Sequence, residues 1–346
     1  MAQNKNASYD TFRKQLKTGQ IAPLYVFFGE ERYLLENSLS SLREKLLSGG
    51  FADFNHRRLN GENFSVDALL DAVNTLPAFA ERTLVEVHDV DIFKLPEEQR
   101  NRLSVLLSEL PEHVCLVFVF DTVPYSPDGR MKLAALIKSK AQVVEFPIQE
   151  PARLVQWIEA HAARAGKAIS RADGEHLAFL TGNSMTALKA ELDKLCQYAE
   201  GDVITRAHID ALVSPTPDAA AYELTDRIVS GRFDEAAKVL SDLFAQQEPA
   251  QKIIYSVTLA LRRLYLARLY LDAGKSQETF MQVSGLRFPF QAKSLFAGAR
   301  KLTAASCRRA VLASARAAAD LNSGSDGEAR LSELLAELLI IFKEKR

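Results

Sequence analysis

The chain has 346 residues, which is more than one typical hydrophobic core organises, so its length predicts two or three domains. Hydrophobic residues make up 47% and charged residues 25%, as is usual for a soluble globular protein. Lys plus Arg (43) and Asp plus Glu (44) nearly cancel, which excludes a global charge excess that would attract nucleic acid or membranes and leaves only local patches for that role.

The cysteines and the N-terminal residues indicate in which cellular compartment the protein is located. Cys115, Cys196 and Cys307 lie far apart, and no CxxC or Cys/His zinc spacing occurs, which favours a reducing environment. The first twenty residues lack the apolar core of a signal peptide, and no run of about 18 apolar residues follows. We therefore expect a cytoplasmic protein without a metal site.

The first 147 residues alternate strand-like and helix-like segments. Residues 33–47 space their leucines as a helix does, and Ser65 is a candidate N-cap for a later helix. This repetition predicts a largely parallel sheet with helices on its faces. The predicted strands are Leu24–Phe28 and the segments "NHRRLNG", "RTLVEVHDV", "VCLVFVFD" and "QVVEFP".

After Pro147 the sequence predicts helices and no further strands. Residues 214–220, "SPTPDAA", have two prolines in three positions and predict a linker. The fold class is therefore α/β plus all-α. We expect an α/β domain in residues 1–147, a small helical domain in residues 148–213 and a larger helical domain in residues 214–346.

The strand Leu24–Phe28 leads into a loop that resembles the start of a nucleotide-binding domain. A P-loop needs the pattern GxxxxGK[ST], because backbone N–H groups, a lysine and a hydroxyl must converge on the phosphates. Here Gly29 stands alone, and Glu30 and Glu31 put negative charge where phosphates would lie. Phosphate binding at this loop is disfavoured.

Other catalytic patterns are also missing from the sequence. Asp121 ends an apolar strand like the metal-binding acid of a Walker B motif, but Thr122 follows instead of a catalytic Glu. An isolated acid at a strand end is more often a turn or cap residue. The six histidines form no HExxH pair, and no GxSxG elbow occurs. We expect neither a catalytic site nor a cofactor in this chain.

Several segments in order resemble the delta subunit of the bacterial DNA polymerase III clamp loader. The likeness covers essentially the whole chain and depends on the order of the segments. They are "PLYVFFGEERYLLENSL", "NHRRLNG", "LPAFAERTLVEV", "CLVFVFD", "ELDKLCQYA", "FPFQAKSLFAGARKL" and "AAADLNSGSDGEARLSELLAELL".

The resemblance implies a degenerate AAA+ (RecA-like) domain, a helical lid and a helical collar for oligomerisation. It also implies a subunit that binds and opens the ring-shaped sliding clamp (the beta subunit) without hydrolysing ATP. The partners it implies are that clamp, the gamma/tau and delta prime subunits, and primed DNA through the assembled complex. An absent P-loop fits this family, whose assembly belongs to a DNA-directed DNA polymerase holoenzyme.

The resemblance also assigns the clamp-binding residues, Leu76, Pro77, Ala78 and Phe79. An aromatic anchor such as Phe79 would fill a pocket on the clamp. The spacing alone allows another interpretation, in which Leu76 and Phe79, at i and i+3 near a helix end, close the domain core.

Two neighbouring positions bear on this assignment. The family commonly has a large apolar residue directly before the anchoring Phe, whereas Ala78 is small, so the second anchor is Leu76 or is weak. Arg82 matches a position that is usually basic, and it either positions the segment or is a surface residue at a strand start.

The segment "LALRRLYLARLYLDAG" offers a candidate DNA-proximal group, Arg262, Arg263, Tyr265 and Arg268. Basic and aromatic residues together are typical of contacts to phosphates and bases. The alternative is a purely structural role, as an amphipathic helix with a charged outer face and a buried leucine stripe. That stripe would contain Leu259, Leu264, Leu266, Leu269 and Leu271.

Two other classes of function compete with the clamp-loader interpretation. A divergent NTPase would bind nucleotide, which the absent GK[ST] argues against. A scaffold protein with a degenerate AAA+ domain would bridge other partners and would not bind the clamp. Loss of clamp binding in Phe79→Ala would separate the last two hypotheses.

Overall fold

The structure is a computed structural model that describes residues 6–47, 52–182 and 184–344. The chain divides into two compact units, one within residues 1–149 and the other within residues 150–346. Each unit buries apolar side chains of its own. No helix in the described ranges is long and apolar enough to cross a membrane.

The first unit is built on one parallel sheet, whose described strands run in the order β2 (His56–Asn60), β3 (Thr83–His88), β4 (Val114–Phe120), β1 (Leu24–Phe28) and β5 (Gln142–Glu145). The strands β3 and β4 are buried along their whole length, because helices cover both faces of a parallel sheet. All five predicted strands are confirmed.

The helices of the first unit connect these strands. Ser65 caps α3 (Val66–Asn74) as predicted, because its side chain accepts a hydrogen bond from the N–H of Ala68 at 3.0 Å. A short 3-10 helix, Ala52–Asn55, comes directly before β2, so Asn55 lies outside the strand predicted for it. The α-helices are α1 (Ala7–Thr18), α2 (Arg32–Leu46), α3 (Val66–Asn74), α4 (Glu97–Ser108) and α5 (Lys132–Lys140).

The second unit is mostly helical, as predicted. Its described helices are α6 (Pro151–Arg164), α7 (Arg171–Thr181), α8 (Met185–Tyr198), α9 (Arg206–Leu212), α10 (Pro217–Ser230), α11 (Phe233–Ala245), α12 (Ala250–Asp272), α13 (Gln277–Ser284), α14 (Pro289–Ala299), α15 (Ala304–Asn322) and α16 (Gly327–Lys343). The prediction that strands stop after Pro147 is wrong, because Ala168–Ile169 (β6) and Val203–Ile204 (β7) pair as a small parallel sheet.

The predicted linker at residues 214–220 is also partly wrong. Helix α10 begins at Pro217, and Thr216 caps it by accepting from the N–H of Ala219 at 3.4 Å. Proline suits the first position of a helix, where its missing N–H leaves no bond unmade. The division of this unit into a domain at 148–213 and a collar at 214–346 stays a prediction.

Candidate functional site

The predicted clamp-binding residues form a loop between α3 and β3. Thr75 ends α3, and the side chains of Leu76 and Phe79 beyond it are 75% and 90% exposed. Pro77 and Ala78, between them, are half-buried. The interpretation that Leu76 and Phe79 close the core is therefore wrong. The loop presents two large apolar side chains to solvent.

A buried asparagine holds this loop in place. The Nδ2 of Asn55 donates to the carbonyl of Ala78 at 2.8 Å, and its Oδ1 accepts from the N–H of Ala78 at 2.7 Å. Asn55 is 2% exposed. Because β2 and β3 are parallel neighbours, with His56 opposite Leu84, the residue before β2 lies beside the loop that enters β3.

The ends of the loop are attached as well. The hydroxyl of Thr83, at the start of β3, donates to the carbonyl of Thr75 at 3.5 Å. The Nη1 of Arg82 donates to the carbonyl of Ile21, before β1, at 3.0 Å. This bond ties the loop to the segment that enters β1, and it favours the positioning role of Arg82 over that of a surface residue.

The backbone at Phe79 is strained. Its φ of 55° lies in the left-handed region, where a residue with a Cβ is disfavoured by roughly 1–2 kcal/mol. Such conformations persist only where surrounding contacts impose them, and they concentrate at binding sites. The bonds to Ala78 directly before it supply such a constraint.

A buried charged cluster lies in the sheet next to the loop, and the sequence analysis missed it. Glu86 in β3 is fully buried and accepts hydrogen bonds from Arg43 Nε at 2.7 Å, His56 Nε2 at 3.0 Å and His88 Nε2 at 2.8 Å. Burial alone would raise the pKa of Glu86, but the bonds from these three residues outweigh burial and hold that pKa well below its usual range. An acid inside the apolar strand "TLVEVH" was the available signal, because a buried carboxylate needs partners.

The loop after β1 is closed against the sheet and does not form a phosphate cradle. Gly29 has a φ of 140°, and a Cβ there would lie 2.3 Å from the carbonyl oxygen of Phe146. The N–H of Glu31 donates to that same carbonyl at 2.9 Å. Only glycine allows this close approach, so Gly29 serves packing against the segment after β5.

The Walker B-like acid has internal partners. Asp121 lies in a bend directly after β4, and its carboxylate accepts from Arg32 Nε at 2.5 Å and pairs with Arg32 through its second oxygen. Nearby, Asp89 accepts from the backbone N–H groups of Asp121, Thr122 and Val123 at 2.9, 2.7 and 3.1 Å. Burial opposes the charge on Asp89, but these bonds lower its pKa. Both carboxylates are thus engaged by partners within the protein.

The candidate DNA-proximal residues on α12 have unequal surroundings. Arg262 is exposed, whereas Tyr265 is half-buried against the helical core. Arg263 donates through Nε to the carbonyl of Ser284 at 3.0 Å, and burial lowers its pKa. Arg268 donates to the carbonyl of Ala299 at 3.2 Å and pairs with Asp272. DNA contact stays a prediction, and within this group Arg262 is the best placed for it.

The predicted leucine stripe of α12 is wrong. Leu264 is buried, but Leu269 is 42% exposed and the other three predicted leucines are only half-buried. Positions 264, 266, 269 and 271 do not share one face at 3.6 residues per turn. The buried face contains Ile253, Ile254, Val257, Leu261, Leu264 and Ala267.

Comparisons with known proteins match both ends of the chain. A family model described as DNA polymerase III, delta subunit, matches residues 25–147, and one described as the C-terminal domain of that subunit matches residues 218–341. The DNA polymerase III subunit delta of Bacillus subtilis is 25% identical over 340 residues, covering 96% of this chain and 97% of the relative. A probable DNA polymerase III subunit delta of Aquifex aeolicus is 22% identical over 275 residues, 77% of each chain.

A solved structure has the same overall fold. The DNA clamp loader delta protein of Bacillus subtilis aligns with a TM-score of 0.53 and 23% identity, covering 96% of this chain and 99% of that one. This likeness bears out the predicted combination of a parallel-sheet domain with helical domains. Together with the two family models, it identifies the chain. The protein belongs to the family of DNA polymerase III delta subunits, the delta subunits of the clamp loader.

Proposed function

We propose that this protein binds the sliding clamp and opens it for loading onto primed DNA during replication, without hydrolysing ATP itself. The observation that carries the proposal is the exposure of Phe79 on a strained, internally anchored loop. A rigid loop presents its side chains at little entropic cost on binding, and this favours tight docking.

The free energy gained by burying such an anchor is large enough to contribute substantially to clamp binding. Burying one phenylalanine side chain contributes roughly 1.5–3 kcal/mol, a substantial part of the ~8 kcal/mol of a micromolar interaction. Leu76, also exposed, adds a second apolar side chain. Ala78 adds little area, and its backbone instead bonds to Asn55.

Opening a ring requires more than binding it. A ligand shifts an equilibrium only by its difference in affinity for the two states. In the proposed mechanism Phe79 and Leu76 therefore bind the open clamp more tightly than the closed one. ATP bound by neighbouring subunits would control access to this loop, and hydrolysis there would release the closed clamp on DNA.

The assembly completes the proposal. The partners are the clamp, the gamma/tau and delta prime subunits, and primed DNA reached through the complex, all in the cytoplasm. Residues 214–346 would form the collar that holds this subunit among its neighbours, and residues 148–213 the lid. The paired Asp121 and the closed loop at Gly29 support a subunit that leaves nucleotide chemistry to others.

Calorimetric titration against the purified clamp of the same source tests the binding step. We expect a micromolar or tighter dissociation constant for the wild type. Phe79→Ala should weaken binding roughly 10- to 100-fold. Tyr255→Ala removes another ring, 69% exposed, from α12 and serves as the control that should bind normally. A folded wild-type protein that shows no binding would favour the scaffold alternative.

A further inference from the structure

A third large apolar side chain lies beside the proposed clamp-binding loop. Phe54, in the 3-10 helix before β2, is 63% exposed. In the described part of the first unit, Phe79, Leu76 and Phe54 have the most exposed side chains among the large hydrophobic residues. Exposed aromatic residues that group together typically mark an interaction site.

The hydrogen bonds of Asn55 place Phe54 on the same surface as the loop. Asn55 bonds twice to Ala78, at 2.8 and 2.7 Å. Phe54 directly precedes Asn55, and Phe79 directly follows Ala78, so each aromatic residue is one Cα step of about 3.8 Å from the bonded pair. Phe54 and Phe79 therefore lie one residue away from the hydrogen-bonded pair Asn55–Ala78, each on its own segment.

We propose that Phe54 is a second aromatic anchor for the sliding clamp. Phe54, Leu76 and Phe79 together form what we call the anchor patch. This inference rests on the proposed function and adds a contact to it. Phe54 supplies from a different segment the apolar area that Ala78, directly before Phe79, is too small to supply.

The occupant is the clamp because the patch is continuous with the proposed clamp-binding loop. The core of this unit does not cover Phe54, as its exposure shows. A flat aromatic side chain with two rotatable bonds loses little entropy when it docks, which is why aromatic residues dominate interface energetics. An anchor from a second segment would also fix the orientation of the docked partner.

Titration of the clamp with single and double variants tests this inference. Phe54→Ala should weaken binding about 10-fold, less than Phe79→Ala. Phe54→Trp, which keeps an aromatic ring, should bind within about threefold of the wild type. Tyr255→Ala again serves as the matched control, since its ring is similarly exposed at 69%. Circular dichroism would confirm that each variant is folded.

The outcomes separate the two proposals. If Phe79→Ala weakens binding and Phe54→Ala does not, the second anchor is wrong and clamp binding stands. If neither variant binds more weakly than the wild type, the anchor patch does not contact the clamp, and the proposed role of Phe79 is wrong together with that of Phe54. If Phe54→Ala instead dissociates a self-associated form seen in sedimentation, with clamp affinity unchanged, Phe54 contacts a second copy of this chain and the inference is overturned.

Discussion

Asn55 and Ala78, 23 positions apart, are joined by two hydrogen bonds in which one side-chain amide satisfies both the N–H and the carbonyl of the same residue. The amide acts as a substitute peptide group, as the next strand of a sheet would. It fixes the loop at the residue before Phe79. The geometry of the proposed anchor thus depends on a side chain that the partner would not touch.

We expect Asn55→Ala to impair clamp binding without removing any exposed apolar area. The change deletes both bonds to Ala78 and should lower the free energy of unfolding by about 1–3 kcal/mol. The loop would then sample more conformations, so clamp affinity should fall several-fold. Denaturant unfolding and calorimetric titration measure the two effects.

Asn63→Ala is the matched control for that experiment. Asn63 is exposed, and its side chain accepts from the backbone N–H of Asn60 at 2.7 Å in the turn after β2. This variant loses a local bond but leaves the loop attached. Equal clamp affinity in the wild type and Asn55→Ala would show that the loop needs no such support.

The strain at Phe79 predicts a difference between two substitutions that both remove the ring. Glycine adopts a φ of 55° without penalty, whereas alanine does not. We expect the free energy of unfolding of Phe79→Gly to be about 1 kcal/mol higher than that of Phe79→Ala. Both variants should lose clamp binding to a similar degree. An alanine variant as stable as the glycine variant would refute the strained conformation.

The Glu86 cluster predicts an acid-dependent loss of stability. Because the folded pKa of Glu86 lies below its ordinary value of 4.5, its charge stabilises the fold fully above that pH. As pH falls further, the unfolded chain binds the proton first, and stability is lost by up to about 1.4 kcal/mol per pH unit. Arg43, His56 and His88 face the carboxylate.

Glu86→Gln tests the contribution of this charge. At pH 7 it should lower the free energy of unfolding by about 3 kcal/mol, because Arg43 loses its buried partner. The difference in free energy of unfolding between the variant and the wild type should shrink below pH 4.5, because the wild type then also loses the stabilisation from the charge on Glu86. Urea unfolding between pH 7 and pH 3.5 measures it. A pH-independent difference would show that the stabilisation is not from the charge.

Variants of two arginines in α12 should have different effects, one on stability and the other on DNA binding. Arg268→Ala removes bonds to the carbonyl of Ala299 and to Asp272, so it should destabilise the protein by about 1 kcal/mol. Arg262→Ala should leave stability unchanged because Arg262 is exposed.

In the assembled loader, Arg262→Ala should weaken DNA binding and lower the slope of log affinity against log salt by about 1, as for one lost phosphate contact. Filter-binding titrations at several salt concentrations measure this slope. An unchanged slope would place Arg262 away from the phosphates.

The sequence predicted the middle of the sheet well because β1 and β4 are continuous apolar runs of the kind that parallel sheets require, whereas β2, at one edge, is largely polar. The prediction from the sequence was wrong where an element, or its boundary, is defined by only one or two residues. The pairs Ala168–Ile169 and Val203–Ile204 are too short to show a period of two. Pro217 was assigned to a linker, although proline is also common at the first position of a helix, which is where it lies in α10.

The candidate site was less predictable from the sequence itself. Leu76 and Phe79 have a spacing that fits a core as well as a surface, and only the resemblance to known delta subunits favoured the surface. The roles of both residues were missed, because Asn55 was assigned to the strand that follows it and Phe54 lies in no periodic segment. Their role arises from strand order, which brings the start of β2 beside the entry to β3.

Release of a loaded clamp from circular DNA tests the central claim most directly, because a closed ring leaves a circle only by opening. We expect the wild-type protein to release clamps from nicked circular DNA, while Phe79→Ala, at equal folded concentration, releases few. On linear DNA both proteins should leave the clamp free to slide off the ends. If wild-type protein binds the clamp yet leaves it on circular DNA, or if Phe79→Ala releases it equally well, the account of clamp opening through Phe79 is wrong.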